Sequence, residues 1–280
     1  MERILITGGT GFVGRCLITR LLALRSDIEI RTLSRNEETI ARLISACNDS
    51  RFSPIVGDVT DVTTVRFALR GVDTVVHLAA MKHVDICEKY PQQAISTNVD
   101  GTLNLLKYFT GKTFVALSTG KAVEPCNCYG ATKMLLERLL IDEAIRRPQN
   151  RYIVIRTCNV TNSSGSVLEK WQQQITETNE ITITNPEMTR WFIDPDCLCD
   201  FVTAVMERGE SGKIYVAPGK MNKIGDMAKE AVRQWGNKDT VIKVIGPRPG
   251  ERVHENAFKE DEANVVVDFP FVRHAKANVA

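Results

Sequence analysis

Apolar positions in the first half of the chain fall into short runs, and helix-length amphipathic stretches lie between them. Arg3–Thr7 reads as a buried strand, followed by a glycine-rich turn and a helical pattern over Gly14–Ala23. Further strands are predicted at Glu29–Ser34, Ser53–Val56 and Val72–Leu78, with a polar helix at Thr64–Leu69 before the last of these. Ala94–Phe109 carries an amphipathic pattern, Thr113–Ser118 a compact β run, Cys128–Arg146 a long helix and Tyr152–Arg156 one more strand. Strands alternating with helices in this way predict a mostly parallel sheet with right-handed crossovers, an α/β doubly wound fold of Rossmann type. Beyond residue 160 the regularity weakens, with strands predicted at Glu180–Thr184 and Lys213–Val216 and helices at Asp196–Glu207 and Ile224–Gln234. No repeat, low-complexity stretch or Pro/Gly/Ser-rich linker separates the halves. Residues 1–160 are expected to form the Rossmann domain and 161–280 a smaller lobe grown on it, with the chain interleaved between them.

Composition narrows the partners. Of 280 residues, 25% are charged and 43% hydrophobic, with a formal net charge of +2. That balance argues against nucleic acid or an anionic membrane as a bulk electrostatic partner. No apolar run approaches the ~20 residues of a membrane span, and Met1–Thr7 leads straight into a strand without signal-peptide character. A cytoplasmic protein is expected. The eight cysteines, at 16, 47, 87, 126, 128, 158, 197 and 199, include the spacings Cys126-x-Cys128 and Cys197-x-Cys199. Neither fits zinc-ligand pairs or the redox C-x-x-C pattern, so free thiols and no metal site are expected.

The candidate chemistry begins at Thr7-Gly8-Gly9-Thr10-Gly11-Phe12-Val13-Gly14, between the first strand and the first helix. Gly8, Gly11 and Gly14 form G-x-x-G-x-x-G, a spacing variant of the dinucleotide fingerprint. Gly8 would permit the sharp turn, Gly11 the approach of backbone to a pyrophosphate, and Gly14 close helix–strand packing. The second strand ends on Ser34-Arg35-Asn36, with no carboxylate for a ribose 2′-hydroxyl. An arginine and a hydroxyl suit a 2′-phosphate, so NADP(H) is favoured; NAD(H), with Arg35 stacked on the adenine, is the alternative. Asp58, after the third strand, is placed to accept from the adenine amino group.

Tyr129-Gly130-Ala131-Thr132-Lys133 supplies Tyr-x-x-x-Lys, which puts both side chains on one helix face. The lysine can hold a nicotinamide ribose and ease proton exchange between the phenol and a substrate hydroxyl. Thr119 lies ten residues upstream. With these motifs the chain resembles the extended short-chain dehydrogenases, and within them one branch closely. The similar segments are Ser34-Arg35, Gly57-Asp58-Val59, His77-Leu78-Ala79-Ala80-Met81-Lys82-His83-Val84 and Leu117-Ser118-Thr119-Gly120-Lys121-Ala122. They continue through Tyr129–Lys133, Arg156-Thr157-Cys158-Asn159-Val160, Met188-Thr189-Arg190-Trp191-Phe192 and Arg248-Pro249-Gly250-Glu251. Together, over about residues 3–256, they are similar to the inverting UDP-N-acetylglucosamine 4,6-dehydratases of the pseudaminic acid pathway.

The resemblance implies roles at matching positions. Cofactor contacts are expected at Gly8, Gly11, Phe12, Val13, Gly14, Ser34, Arg35, Asp58, Val59, Ala79, Ala80, Tyr129 and Lys133. Lys82, Thr119, Asn159, Val167, Thr184, Arg190, Arg248 and Glu251 would line a site for a UDP-linked N-acetylhexosamine derivative. Arg190 and Arg248 also suit a diphosphate. Homo-oligomers, often hexamers, are implied by the resemblance alone.

One position departs from the pattern. The family's catalytic segment reads Ser-Thr-Asp-Lys, its aspartate protonating the departing C6 hydroxyl and its lysine handling the C5 proton. Here it reads Ser118-Thr119-Gly120-Lys121. General acid help is worth about 10²–10⁴ in rate, and glycine has no proton to give. Catalytic roles are thus expected for Thr119, Lys121, Tyr129 and Lys133. They fit oxidation at C4 and proton transfer at C5 of a sugar already dehydrated across C5–C6 by a partner dehydratase. The hydride would return to C6, giving a C5-inverted 4-keto-6-deoxy sugar. The alternatives are a dehydratase whose acid comes from Glu124, Asp85, Glu88 or water, a plain C5 epimerase, and a non-catalytic NAD(P)-binding module.

Overall fold

The computed structural model describes residues 1–163, 165–246, 250–256, 262 and 266–267. Its centre is a parallel sheet of β1 (Glu2–Thr7), β2 (Ile28–Ser34), β3 (Phe52–Val56), β4 (Thr74–His77), β5 (Thr113–Thr119), β6 (Arg151–Thr157), β10 (Ile214–Val216) and β13 (Val266–Val267). The strand order is β13-β10-β6-β5-β4-β1-β2-β3, every pairing parallel. This is the doubly wound Rossmann-type arrangement that the alternation predicts.

Both faces of the sheet are buried, which is why its strands are nearly continuous apolar runs. Ile4, Ile6, Ile30 and Val115 face one way, packing with Leu17, Ile18 and Leu21 of α1 (Phe12–Leu24) and with α9 (Pro195–Arg208). Leu5, Val75, Phe114 and Val154 face the other way, against α3 (Val62–Ala68), α6 (Gly101–Tyr108) and α7 (Cys128–Arg146). The second half of the chain contributes α9 and β10 to this body. The rest of it builds a three-stranded sheet, β11 (Lys220–Lys223)-β9 (Thr189–Ile193)-β7 (Asn159–Val160), and a two-stranded one, β12 (Val241–Val244)-β8 (Glu180–Ile183). These surround a separate core of Trp171, Ile175, Ile181, Phe192 and Ala228, to which α8 (Val167–Thr178) and α10 (Ile224–Trp235) contribute.

The predicted helix at Ala94–Phe109 is interrupted. A short α5 (Pro91–Ile95) runs into a single π turn, Ser96–Asp100, before α6. Buried Asn98 sits in that turn, and Thr102 Oγ donates to its carbonyl at 2.6 Å. Such bulges insert a residue and re-aim a side chain, commonly at functional sites. The helices α2 (Glu37–Cys47), α4 (Val84–Lys89) and α8 and the strands β7, β9, β11, β12 and β13 also went unpredicted. Among the described residues no helix is long and apolar enough to cross a membrane, and all eight cysteines are free thiols.

Candidate active site

A cleft of about 1140 Å³ opens beyond the carboxyl ends of β1, β2, β4, β5 and β6, where open α/β sheets bind ligands. At one end is the glycine turn. Gly8 has φ +70°, and a Cβ there would lie 2.9 Å from the Ala79 backbone. A Cβ on Gly14 would lie 2.5 Å from Gly9 Cα, so only glycine lets α1 start this close to β1. On Gly11 a Cβ would meet only Gly8 O, at 3.1 Å. Gly11 also caps α1 without a side-chain bond, leaving the first-turn N–H groups to a ligand. An open cradle at a helix N-terminus fits the pyrophosphate of a dinucleotide. Phe12 and Val13 line the same wall, with Ala79, Ala80 and Val59 opposite the turn.

At the adenosine end Ser34 Oγ accepts from Thr10 N at 3.3 Å. The Arg35 guanidinium, largely exposed, lies 3.6 Å from the Asp58 carboxylate. Asp58 in turn accepts from Thr60 N at 2.9 Å and from Thr60 Oγ at 3.0 Å.

The predicted catalytic residues Thr119, Lys121, Tyr129 and Lys133 come together where β5 meets α7. Thr119 ends β5 in extended backbone and leads into a single 3-10 turn, Gly120–Ala122. Asn127 caps α7, its Oδ1 accepting from Gly130 N at 2.8 Å. A Cβ on Gly130 would collide with the Lys121 carbonyl oxygen. Glycine at 130 therefore brings the helix against the turn, and Tyr129 with it. Burial of the Tyr129 phenol pushes its pKa up, opposed by its hydrogen bond with Thr119. Lys133, one turn on and 3% exposed, donates to Leu117 O at 2.7 Å. Burial pushes its pKa down to about 8, against the pull of Glu137. A protonated phenol beside a buried, easily deprotonated amine is a proton-exchange couple.

Lys121 also lines the cleft, and its Nζ pairs with Glu255 at 3.1 Å. Glu255 is bound 3.1 Å away by Arg190 Nε. Arg190 lines the cleft but is 8% exposed, and its other nitrogens donate to Thr189 O, Val253 O and Arg252 O at 2.8, 3.0 and 2.6 Å. These bonds fasten residues 251–255 to β9, while Arg190 keeps its place in the cleft lining. Lys82, Asn159, Val167, Thr184 and Glu251 all line the cleft. The cleft walls lower the Lys82 pKa by desolvation, opposed by Glu169. Asn159 Nδ2 donates to Trp191 O at 3.0 Å, and Thr184 Oγ to Met188 Sδ at 3.1 Å. Arg248 lies outside the described residues. Of the suggested replacement acids, Asp85 and Glu88 line the cleft, whereas Glu124 points to Arg252 away from its lining.

The sequence patterns did not single out Glu255, Asn98 or Glu137. Asn98 holds Met81 N and Met81 O at 2.8 and 3.0 Å and Thr132 Oγ at 2.9 Å, joining the segment before Lys82 to the catalytic helix. Glu137, 2% exposed, accepts from Ser118 Oγ at 2.6 Å and pairs with Arg156 at 2.7 Å. A polar residue amid the apolar positions of a helix was the available signal for Asn98. Glu255 carries none beyond its place four residues after Glu251.

The family model of polysaccharide biosynthesis proteins matches residues 4–277. A UDP-glucose 4-epimerase of Rickettsia felis is 36% identical over 271 residues, 93% of this chain and 79% of that protein. The uncharacterized membrane protein MJ1061 of Methanocaldococcus jannaschii is 35% identical over 272 residues, 93% of this chain and 81% of that one. Among solved structures, Pen from Bacillus thuringiensis superposes with a TM-score of 0.89 at 29% identity, covering 93% of this chain and 82% of the other.

Proposed function

The chain belongs to the polysaccharide biosynthesis protein family, and from that premise we propose that it is a nicotinamide-dependent enzyme that modifies a UDP-linked sugar. The substrate proposed is a UDP-6-deoxy-N-acetylhexosamine-5,6-ene delivered by a partner dehydratase. The product is the C5-inverted 4-keto-6-deoxy sugar, as in pseudaminic acid biosynthesis. The observation that carries this choice is the Lys121–Glu255 ion pair beside Gly120. In that pair Lys121 is an ammonium, a proton donor. Dehydration would ask Lys121 to take the C5 proton and position 120 to give one; protonating C5 asks only for an ammonium.

A nicotinamide held at the glycine turn would supply reversible hydride transfer, accepting the C4 hydrogen with its electron pair and giving a hydride back at C6. Tyr129, bonded to Thr119, takes the C4 hydroxyl proton. Lys133 would hold the ribose, and its positive charge would favour the phenolate that the step needs, against the burial that pushes the Tyr129 pKa up. Lys121 closes it by giving its proton to C5. The sugar gains and loses one hydride and one proton, so no net redox change occurs. For the cofactor form, Asp58 supports NAD(H): a carboxylate 3.6 Å from Arg35 would also face a 2′-phosphate.

C4 epimerisation is a second activity with specific support. A 36% identical relative is named UDP-glucose 4-epimerase, and that reaction needs Thr119, Tyr129 and Lys133 but no acid at 120. The test incubates the purified protein in deuterated water with the 5,6-ene, UDP-N-acetylglucosamine and UDP-glucose separately, following products by NMR. The ene is expected to give a C6 methyl and one deuterium at C5, and mass spectrometry of the released cofactor is expected to show NAD. Inversion at C4 of either saturated sugar would transfer the assignment to the epimerase. Dehydration of UDP-N-acetylglucosamine without a partner enzyme would sink the proposal.

A further inference from the structure

Glu255 comes from a segment far along the chain, yet it stands at the reactive end of the cleft. Residues 250–256 are fixed there by several bonds. Asn127 Nδ2 donates to Gly250 O at 2.9 Å, Thr189 N to Val253 O at 3.1 Å, and Arg190 to Arg252 O and Val253 O. The Glu255 carboxylate then receives Lys121 Nζ at 3.1 and 3.2 Å and Arg190 Nε at 3.1 Å. A small void of about 10 Å³ lies against Gly120, and Lys121, Asn127 and Glu255 line it. Gly120 and the carboxylate at 255 thus border the same small space.

We infer that Glu255 is the positioning residue for proton delivery by Lys121, supplying from the C-terminal segment the carboxyl group that the Gly120 turn lacks. This rests on the proton-donor role proposed above for Lys121. In this role Glu255 acts through Lys121. It fixes the Lys121 ammonium, one of whose N–H bonds breaks as the C5–H bond forms. The electron pair stays on Nζ, and the amine regains a proton from water. Arg190 Nε also binds Oε1 of this carboxylate and keeps it from following Lys121 into the cleft. A freely rotating lysine stem would sample many directions; an anchored one presents its proton to a single face, which inversion at C5 requires.

Glu255→Gln and Glu255→Asp test this in the full chain with its bound cofactor. One readout needs no substrate. In ¹⁵N-lysine-labelled protein the Lys121 ammonium signal, assigned by its loss in Lys121→Arg, should vanish in Glu255→Gln and persist in Glu255→Asp. The other is catalytic. Deuterium delivery to C5 should fall about 10²-fold in Glu255→Gln with KM unchanged, because misplacement of a reacting group costs on that order. Glu255→Asp should recover part of it. C4 oxidation, followed by the near-ultraviolet absorbance of reduced nicotinamide, should continue in both, which also shows that the variants fold. Wild-type C5 delivery in Glu255→Gln overturns the inference. If the wild-type enzyme does no C5 chemistry on any substrate, the proposed function falls by itself, and the ammonium signal decides the role of Glu255: its persistence in Glu255→Gln overturns that role.

Discussion

His77 shows how a residue can be conspicuous in a motif and yet work only as a strut. It is fully buried at the end of β4, with Nδ1 2.7 Å from Thr7 Oγ and Nε2 3.1 Å from Thr102 Oγ. Thr7 Oγ in turn accepts from Ala79 N at 3.2 Å, so the ring braces the loop that packs on the glycine turn. Burial, with a smaller contribution from Lys133, pushes its pKa down to about 3. The sign follows directly. Below pH 6.5 the unfolded chain binds a proton that folded His77 refuses until about 3. Stability therefore falls with pH through that window, by about 1.4 kcal/mol per unit from this residue. Urea unfolding at pH 7, 6 and 5 should show that slope in the wild type and a shallower one in His77→Gln. Equal slopes would mean that the ring accepts its proton inside the fold. At this scale the sequence was most legible where chemistry forces both residue type and spacing, as at Gly8, Gly11, Gly14, Tyr129 and Lys133. Glu255 and Asn98 act through contacts made by distant chain, and no local pattern marks those.

Among the elements, the junction from β5 through the 3-10 turn into α7 carries Gly120, on which the proposed chemistry turns. The sequence fixes the limits of α7, Cys128–Arg146, because Asn127 caps it and its apolar positions recur at helical spacing. It does not show that Gly120 opens a 3-10 turn, since one turn is too short to leave a period. The φ of Gly120 is not positive, so its backbone does not demand glycine. Gly120→Asp should therefore fold, with an unfolding midpoint close to the wild type. Its new carboxyl group would lie near Glu255, since both positions border one small void. Repulsion from that carboxylate favours the protonated form, the one a general acid needs. Consumption of UDP-N-acetylglucosamine should then rise by about 10²-fold over the wild type. A folded variant with no gain would show that the acid at 120 is not what the chain lacks. The π turn at Ser96–Asp100 escaped prediction for a related reason: a single inserted residue barely disturbs the amphipathic pattern around it.

Across the whole molecule, the order of β–α units made the large sheet legible, whereas the way the second half closes the cleft was not. Short strands such as β9 and β11 have little periodicity, and their positions depend on pairing with distant chain. Arg190 on β9 is where this closure is concentrated. Its guanidinium donates to the carbonyls of Arg252 and Val253 while pairing with Glu255, so one buried side chain joins the smaller sheet, the C-terminal segment and, through Glu255, Lys121. A lysine there keeps the charge but cannot present the planar set of donors that meets two carbonyls and a carboxylate together. Arg190→Lys should thus leave the Rossmann core intact while loosening residues 250–256. Amide hydrogen exchange should accelerate in that segment by about 10-fold or more, with β1, β4 and β5 protected as before. KM for the UDP-sugar should rise several-fold, because Gly250, Glu251 and Glu255 line the cleft. Cofactor content should stay the same, since the glycine turn and Arg35 follow β1 and β2, which β5 and β4 separate from β6 in the sheet. Exchange that accelerates throughout the large sheet would instead make Arg190 a residue of global stability. Unchanged exchange at 250–256 would show that Asn127 and Thr189 hold the segment without it.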